Sequence, residues 1–269
     1  MPEGDTIFRA ARSLRTWLEG RVITGARSQR ARVPADRLVG TSVTAVEARA
    51  KHLLVRFSSG DVLHTHMRMT GSWHVYRAGE RWRKPEWQAR VVLEAGERVA
   101  VCFEAPVVEL LGAEDAARHR VLAGLGPDVL VEPLDLAEVR RRAEWRPPGL
   151  PIGELLLDQQ VVAGIGNIYR CESLFLAGVH PWRPRSSLEA SALDDVVRTA
   201  SSLMRANLDP KQGFERRFGD GRDRGGPWVY GRARRPCHRC RVVVRSALLG
   251  DQPRRVWWCP RCQPADGPS

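Results

Sequence analysis

The sequence predicts an α+β, multidomain chain. An N-terminal helix joins an antiparallel β-sandwich, a helical domain with a helix–turn–helix follows, and a C-terminal β-hairpin carries four cysteines. Three observations support this. Apolar residues recur at helical spacing over the first twenty positions. From about residue 21 to 112 the pattern changes to short alternating or apolar runs separated by Gly, Ser and Asp, and after "LGPDVL" the 3.6-residue period returns until the cysteine-bearing end. The expected boundaries are 1–124, 125–226 and 227–269.

In the first segment Ile7, Phe8, Ala11, Leu14 and Leu18 form one helical stripe, with Asp5 or Thr6 as cap and Gly20 as stop. The runs "RVITGA", "TSVTAVEA", "KHLLVRF", "DVLHTHM", "GSWHVY", "RVVLEAG" and "RVAVCFEA" then read as strands at the 8–12-residue spacing of a sandwich or barrel. Helices are expected in "DLAEVRRRAE", "IGELLLDQQVVA", "NIYRCESLFLAG" and "LEASALDDVVRTASSLMRANL". Residues 209–226, rich in Gly, Arg and Asp and without period, are expected to be a mobile loop.

The 269 residues carry 43 Lys+Arg against 31 Asp+Glu, a formal net charge of +12. An excess of this size favours a polyanionic partner, although it is also compatible with a solvated basic surface. Only Lys51, Lys84 and Lys211 are lysines, which singles them out in an arginine-rich chain. Charges at Glu3, Asp5, Arg9, Arg12 and Arg15 interrupt any apolar leader, and no run approaches the ~20 apolar residues of a membrane span. A cytoplasmic, nucleoid-associated protein is therefore expected, with no membrane partner and no sign of an oligomer, hence a monomer.

In the cytoplasm six cysteines point to metal or free thiols rather than disulfides. Cys237-x2-Cys240, eighteen residues, then Cys259-x2-Cys262 is the spacing of two knuckles closing tetrahedrally on one structural Zn²⁺. All four positions are filled by protein, so chemistry must lie elsewhere. Cys102 and Cys171, in apolar settings, are expected in the core. Arg254 and Arg255 fall near the hairpin tip, where they can face a nucleic acid or simply solvent. In "LLLDQQVVAGIGNIYRCESLF" a helix is broken at Gly164 and Gly166 and resumes at Asn167. Such a turn exposes backbone N–H groups suited to phosphate, though it also fits an ordinary αα-hairpin.

"MPEGDT" at the N-terminus, "AKHLL" at 50–54, "DQQVVAGIGNIYRCESLF" at 158–175, "VYGR" at 229–232 and the four-cysteine hairpin occur in an order that resembles the formamidopyrimidine-DNA glycosylase and endonuclease VIII family. The resemblance spans residues 2–262. It implies a helix–two-turn–helix around Asn167, a zinc finger, and a bifunctional DNA glycosylase and AP lyase of base excision repair. Its partner would be double-stranded DNA containing oxidised bases or abasic sites. With Met1 removed, the nitrogen of Pro2 would be the nucleophile. An α-amine, with an ordinary pKa near 8, is partly neutral at physiological pH without special tuning.

By the same resemblance Glu3 would protonate the sugar ring oxygen, where the sequence alone also allows a helix-dipole partner. Lys51, Asn167 and Arg254 would hold backbone phosphates from two separated domains, with Lys51 and Arg254 assisting elimination. Gly164, Gly166 and Tyr230 belong to the matching DNA-binding motifs. Met69 would fill the gap left when the target base leaves the stack, unless it is a core methionine. The purine-directed branch carries an Arg-Arg-Phe-Gly stretch, where this chain has "VAVCFEAPVVELL". That departure favours oxidised pyrimidines, while the "HMRMTGS" context of Met69 is nearer the purine branch. A purine-directed glycosylase and a non-catalytic zinc protein that binds damaged DNA are the competing expectations.

Overall fold

The computed structural model describes residues 2–29, 33–209, 216–219 and 226–265. The chain divides into two compact units, 1–124 and 125–269. The segments expected as separate domains at 125–226 and 227–269 therefore share one unit.

Unit one opens with helix α1, Gly4–Leu18, which buries Ile7, Ala11, Leu14 and Leu18 on one face. Its N-cap is Glu3 rather than Asp5 or Thr6, because the extended Glu3 backbone offers its carbonyl to the N–H groups of Thr6 and Ile7, at 2.9 and 3.2 Å. Eight strands follow: β1 Gly25–Ser28, β2 Val43–Arg49, β3 His52–Phe57, β4 Val62–His66, β5 Ser72–Arg77, β6 Ala89–Ala95, β7 Arg98–Phe103 and β8 Val107–Leu111. They form two antiparallel four-stranded sheets, ordered β2-β3-β4-β8 and β1-β6-β7-β5. One apolar core joins Val46 and Val55 of the first sheet, Val91 and Leu93 of the second, and the buried stripe of α1. At roughly 25 cal/mol per Å² of apolar surface removed from water, this shared burial is the main force holding helix and sheets together.

The sandwich expectation is met, with two local differences. The first strand begins at Gly25, after "RVIT", and β8 has no alternating signal because all five residues of this edge strand are half-buried. Two short helices, α2 Ala113–Arg118 and α3 Arg120–Ala123, end the unit.

Unit two contains α4 Leu136–Glu144, α5 Ile152–Leu155, α6 Asn167–Leu176, α7 Ala190–Ala206 and the hairpin β9 Arg245–Leu249 with β10 Arg254–Trp258. The helix expected over "IGELLLDQQVVA" lasts only four residues. Asp158 Oδ1 accepts from Gln160 N–H, and the Gln159 side chain bonds Leu157 O, Ile165 O and Gly164 N–H, so local side-chain bonds displace the helical ladder. Buried Cys171 and Phe175 of α6 pack with Val244, Val256 and the cysteines of the hairpin. Most of the expected 209–226 loop lies outside the described residues, and Cys102 and Cys171 are both fully buried.

Candidate active site and nucleic-acid interface

In unit one, the start of α1 places Glu3 with no exposed surface, while the preceding Pro2 is half-buried. Met1 lies outside the described residues. Burying a carboxyl group is costly unless it is partnered or functional, and the neighbouring Asp5 is also buried, near Arg9 at 3.7 Å.

Lys51 occupies the second position of a two-residue hairpin loop, since Arg49 pairs with His52 and only Ala50 and Lys51 connect β2 to β3. Ala50 takes the positive φ of +54° that this tight turn demands. The loop presents Lys51 half-exposed, beside His66, whose pKa burial and then the Lys51 charge hold down to about 4.

Met69 lies on the β4–β5 connection. Gly71 N–H donates to Met67 O at 2.8 Å, and a Cβ at Gly71 would come within 2.7 Å of Met67 Cα, so only glycine closes this turn. The turn buries Met67 and leaves Met69 65 % exposed. The core alternative considered for Met69 thus does not describe its position.

In unit two, Gly164 adopts φ +100° and Gly166 is the N-cap of α6, so the chain reverses sharply into Asn167. Asn167 is buried. Its Nδ2 donates to Arg255 O at 3.0 Å, and its Oδ1 accepts from Arg170. Arg170, completely buried, also donates to Arg255 O at 3.1 Å and Gly153 O at 3.2 Å. The turn and the hairpin are thereby joined through β10. Arg254 starts β10 opposite Leu249 and is exposed, with Arg255 next to it donating to Ser246 Oγ at 3.2 Å.

Tyr230 packs its ring against Trp257, with centroids 4.6 Å apart. Its loop is fixed by Glu172, whose carboxylate accepts N–H bonds from Trp228, Val229 and Tyr230 at 2.7, 3.1 and 2.8 Å. Burial pushes the Glu172 carboxyl above its ordinary pKa, against those three donors. Neither Arg170 nor Glu172 was singled out from the sequence. The available signal was two charged residues, Arg170 and Glu172, within the otherwise largely apolar run of α6.

The four hairpin cysteines are free thiols that converge, Cys237 with Cys262 at 3.9 Å and Cys240 with Cys259 at 3.4 Å between sulfurs. Zn–S bonds of about 2.3 Å in a tetrahedron place sulfurs about 3.8 Å apart, so the donor set fits one metal ion.

A second cluster, not anticipated from sequence, lies in unit one. His52 Nδ1 and His64 Nε2 are 2.8 Å apart, and His64 Nδ1 and His119 Nε2 approach Glu109 Oε2 at 2.8 and 3.3 Å. The register sets His64 opposite Glu109 across β4 and β8, while His52, paired with His66, reaches His64 diagonally from β3.

The model of the formamidopyrimidine-DNA glycosylase N-terminal domain matches residues 1–106, and that of the formamidopyrimidine-DNA glycosylase H2TH domain matches residues 125–217. A Streptomyces coelicolor protein named "Probable endonuclease 8 2" is 41 % identical over 100 % of this chain and 96 % of its own. The chain belongs to the formamidopyrimidine-DNA glycosylase family.

A DNA-(apurinic or apyrimidinic site) lyase of Mycolicibacterium smegmatis is 34 % identical, covering 98 % of this chain and 100 % of the relative. By membership in this family the protein is a DNA glycosylase/AP lyase of the endonuclease 8 type. Among solved structures, Lactococcus lactis formamidopyrimidine-DNA glycosylase bound to DNA containing an AP site has a TM-score of 0.82 at 22 % identity, covering 98 % of this chain and 100 % of that one, and shows the same fold. Among the described residues of this family member, no helix is long and apolar enough to cross a membrane.

Proposed function

We propose that this protein excises oxidised pyrimidines from double-stranded DNA through a Schiff base on Pro2 and nicks the strand by β/δ-elimination. The observation that carries the reading is the fully buried Glu3 carboxyl beside Pro2 at the head of α1. With Met1 removed, the neutral proline amine adds to the sugar C1′, the base departs with its bonding pair and takes up the amine proton, and Glu3 protonates the ring oxygen as the C1′–O4′ bond breaks. The resulting iminium draws electrons from C2′. Loss of the C2′ proton expels the 3′ phosphate, and a second loss, from C4′, expels the 5′ phosphate.

Lys51 on its hairpin, and Asn167 and Arg254 in the second unit, would hold phosphates, and Lys51 and Arg254 would balance the charge of those that leave. Gly164 and Gly166 would open the turn to the backbone, Tyr230 would line the DNA face beside Trp257, and exposed Met69 would fill the vacated stack. The cysteine cluster would hold Zn²⁺ as a structural ion, its four thiolates filling the tetrahedral positions and leaving none open to substrate. The pyrimidine preference rests on the β7–β8 link. Only Glu104, Ala105 and Pro106 separate these strands, and the region 99–111, VAVCFEAPVVELL, lacks the Arg-Arg-Phe-Gly stretch of the purine-directed branch.

Borohydride reduction on duplexes carrying an abasic site, an oxidised pyrimidine or an oxidised purine, with mass mapping of the adduct, tests this. An adduct on Pro2, formed faster from the pyrimidine duplex than the purine one, is expected. Attachment at another amine overturns the nucleophile, faster trapping with the oxidised purine overturns the preference, and no adduct with Met1-processed protein leaves a non-catalytic DNA binder.

A further inference from the structure

We propose that His64, Glu109 and His119 form a second divalent-metal site in unit one, separate from the four cysteines, which takes a borderline cation such as Zn²⁺ with water completing its shell. The three donor atoms lie within 4.8 Å of one another and come from β4, from β8 and from the residue between α2 and α3. Two imidazoles and one carboxylate with an open position are a common donor set for Zn²⁺.

Two of the three donor separations, those to Glu109, are close to the values needed. Bonds of about 2.0–2.1 Å in a tetrahedron place N and O donors about 3.3 Å apart. The His119–Glu109 separation is already 3.3 Å, and the His64–Glu109 separation of 2.8 Å must open by about half an ångström. Glu109 can supply that movement, because its side chain is 41 % exposed while His64 is locked inside. The exposed side also admits the water ligand.

Second, His64 is already oriented from behind. His52 Nδ1 lies 2.8 Å from His64 Nε2, so an imidazole nitrogen stands where metal-bound histidines keep an outer-shell hydrogen-bond partner. Without an ion, His64 donates its Nδ1 proton to Glu109 and accepts at Nε2 from His52. With an ion, the Nδ1 lone pair goes to the metal, Nε2–H donates to His52 Nδ1, and the His52 proton moves to its Nε2. Both rings stay neutral and no proton is gained or lost between them. His119 must likewise carry its proton on Nδ1, which gives up a long 3.4 Å contact from Leu122 N–H at the cap of α3. A four-residue helix loses little by this, so the opposing cost is small.

The test compares metal content of full-length protein and its His119→Ala variant, each equilibrated with Zn²⁺ and dialysed against metal-free buffer. One equivalent more in the wild type is expected, and the Glu109→Gln variant should show the same loss with unchanged far-ultraviolet circular dichroism. Equal content in all three overturns the site, whatever the cysteines hold. Substitution with Co²⁺ identifies the ligands. The wild-type-minus-variant spectrum should lack thiolate charge-transfer absorption, and a thiolate band in that difference would assign the lost ion to the hairpin and overturn the proposal.

Discussion

Asn167 donates its side-chain N–H to the backbone carbonyl of Arg255 across 3.0 Å, so the turn that opens α6 is bonded to the strand that carries Arg254. One residue thus serves both the placement of the hairpin and a proposed phosphate contact. Asn167→Ala should lower stability by about 2 kcal/mol or more, since it also removes an acceptor from the buried Arg170 guanidinium, and should weaken DNA binding. Arg254 is exposed, so Arg254→Ala should leave the melting temperature unchanged while lowering the slope of log K against log salt by about 1. Calorimetry and binding titrations at several salt concentrations separate the two. An Arg254 variant with the wild-type slope would remove it from the phosphate contacts.

Glu3→Gln retains the size of the buried side chain but cannot deliver the proton that the ring oxygen needs. Excision of an oxidised pyrimidine should fall by about 10²-fold or more, in the range of a lost general acid, while affinity for the same duplex stays within a few-fold. Single-turnover kinetics with saturating enzyme measure this directly. Excision at the wild-type rate would assign Glu3 a purely structural part at the head of α1.

Much of this architecture was legible because periodicity reports burial. The α1 stripe from Ile7 to Leu18, the sandwich strands and the cysteine spacing each encode one-sided packing or a fixed ligand set. The edge strand Val107–Leu111, uniformly half-buried, gives no alternation to read. The segment Leu156–Ala163 looked helical by composition and is held otherwise by the Asp158 and Gln159 side chains, which are visible only once their partners are known. In the candidate site, Pro2, Glu3, Lys51 and Asn167 could be named through motifs. Arg170, Glu172 and the histidine cluster could not, because their function is set by partners distant in sequence, such as Glu109 for His64 and Trp228 for Glu172.

Glu172→Ala should be more damaging than any surface change in unit two. It removes one carboxylate from three backbone N–H groups, each left buried or half-buried without its acceptor. A cost of roughly 3 kcal/mol or more is expected, with Glu172→Gln intermediate because its single carbonyl oxygen can keep only part of the set. Chemical denaturation gives the value, and a loss below 1 kcal/mol would mean that the 228–230 loop is held by other contacts.

Turn geometry gives the next expectation. Gly71→Ala would force a Cβ to 2.7 Å from Met67 Cα and 3.0 Å from Ala105 Cα, so unit one should lose several kcal/mol or the β4–β5 turn must open. Met69→Ala touches no core and should leave stability within about 0.5 kcal/mol while slowing excision. If Met69→Ala instead destabilised the fold without affecting excision, the side chain would be a packing residue after all.

Acid should weaken unit one, and His66 is the group that isolates the effect. Burial, then the charges of Lys51 and Arg68, then His64, hold its folded pKa at about 4, below the unfolded value of 6.5. Between those values the unfolded chain binds a proton that the folded chain refuses, so stability rises with pH across this window, is complete above 6.5 and is lost as pH falls toward 4. His52, pushed to about 3 by burial and then by His66 and His64, with His119 and Arg49 also facing it, extends the same loss to lower pH. The limiting slope is about 1.4 kcal/mol per pH unit for each histidine. Melting temperatures from pH 7 to 4.5 should therefore fall less steeply for His66→Gln than for the wild type. Parallel curves would show that protons enter the folded His66 site freely and that the strain on this strand end comes from another group.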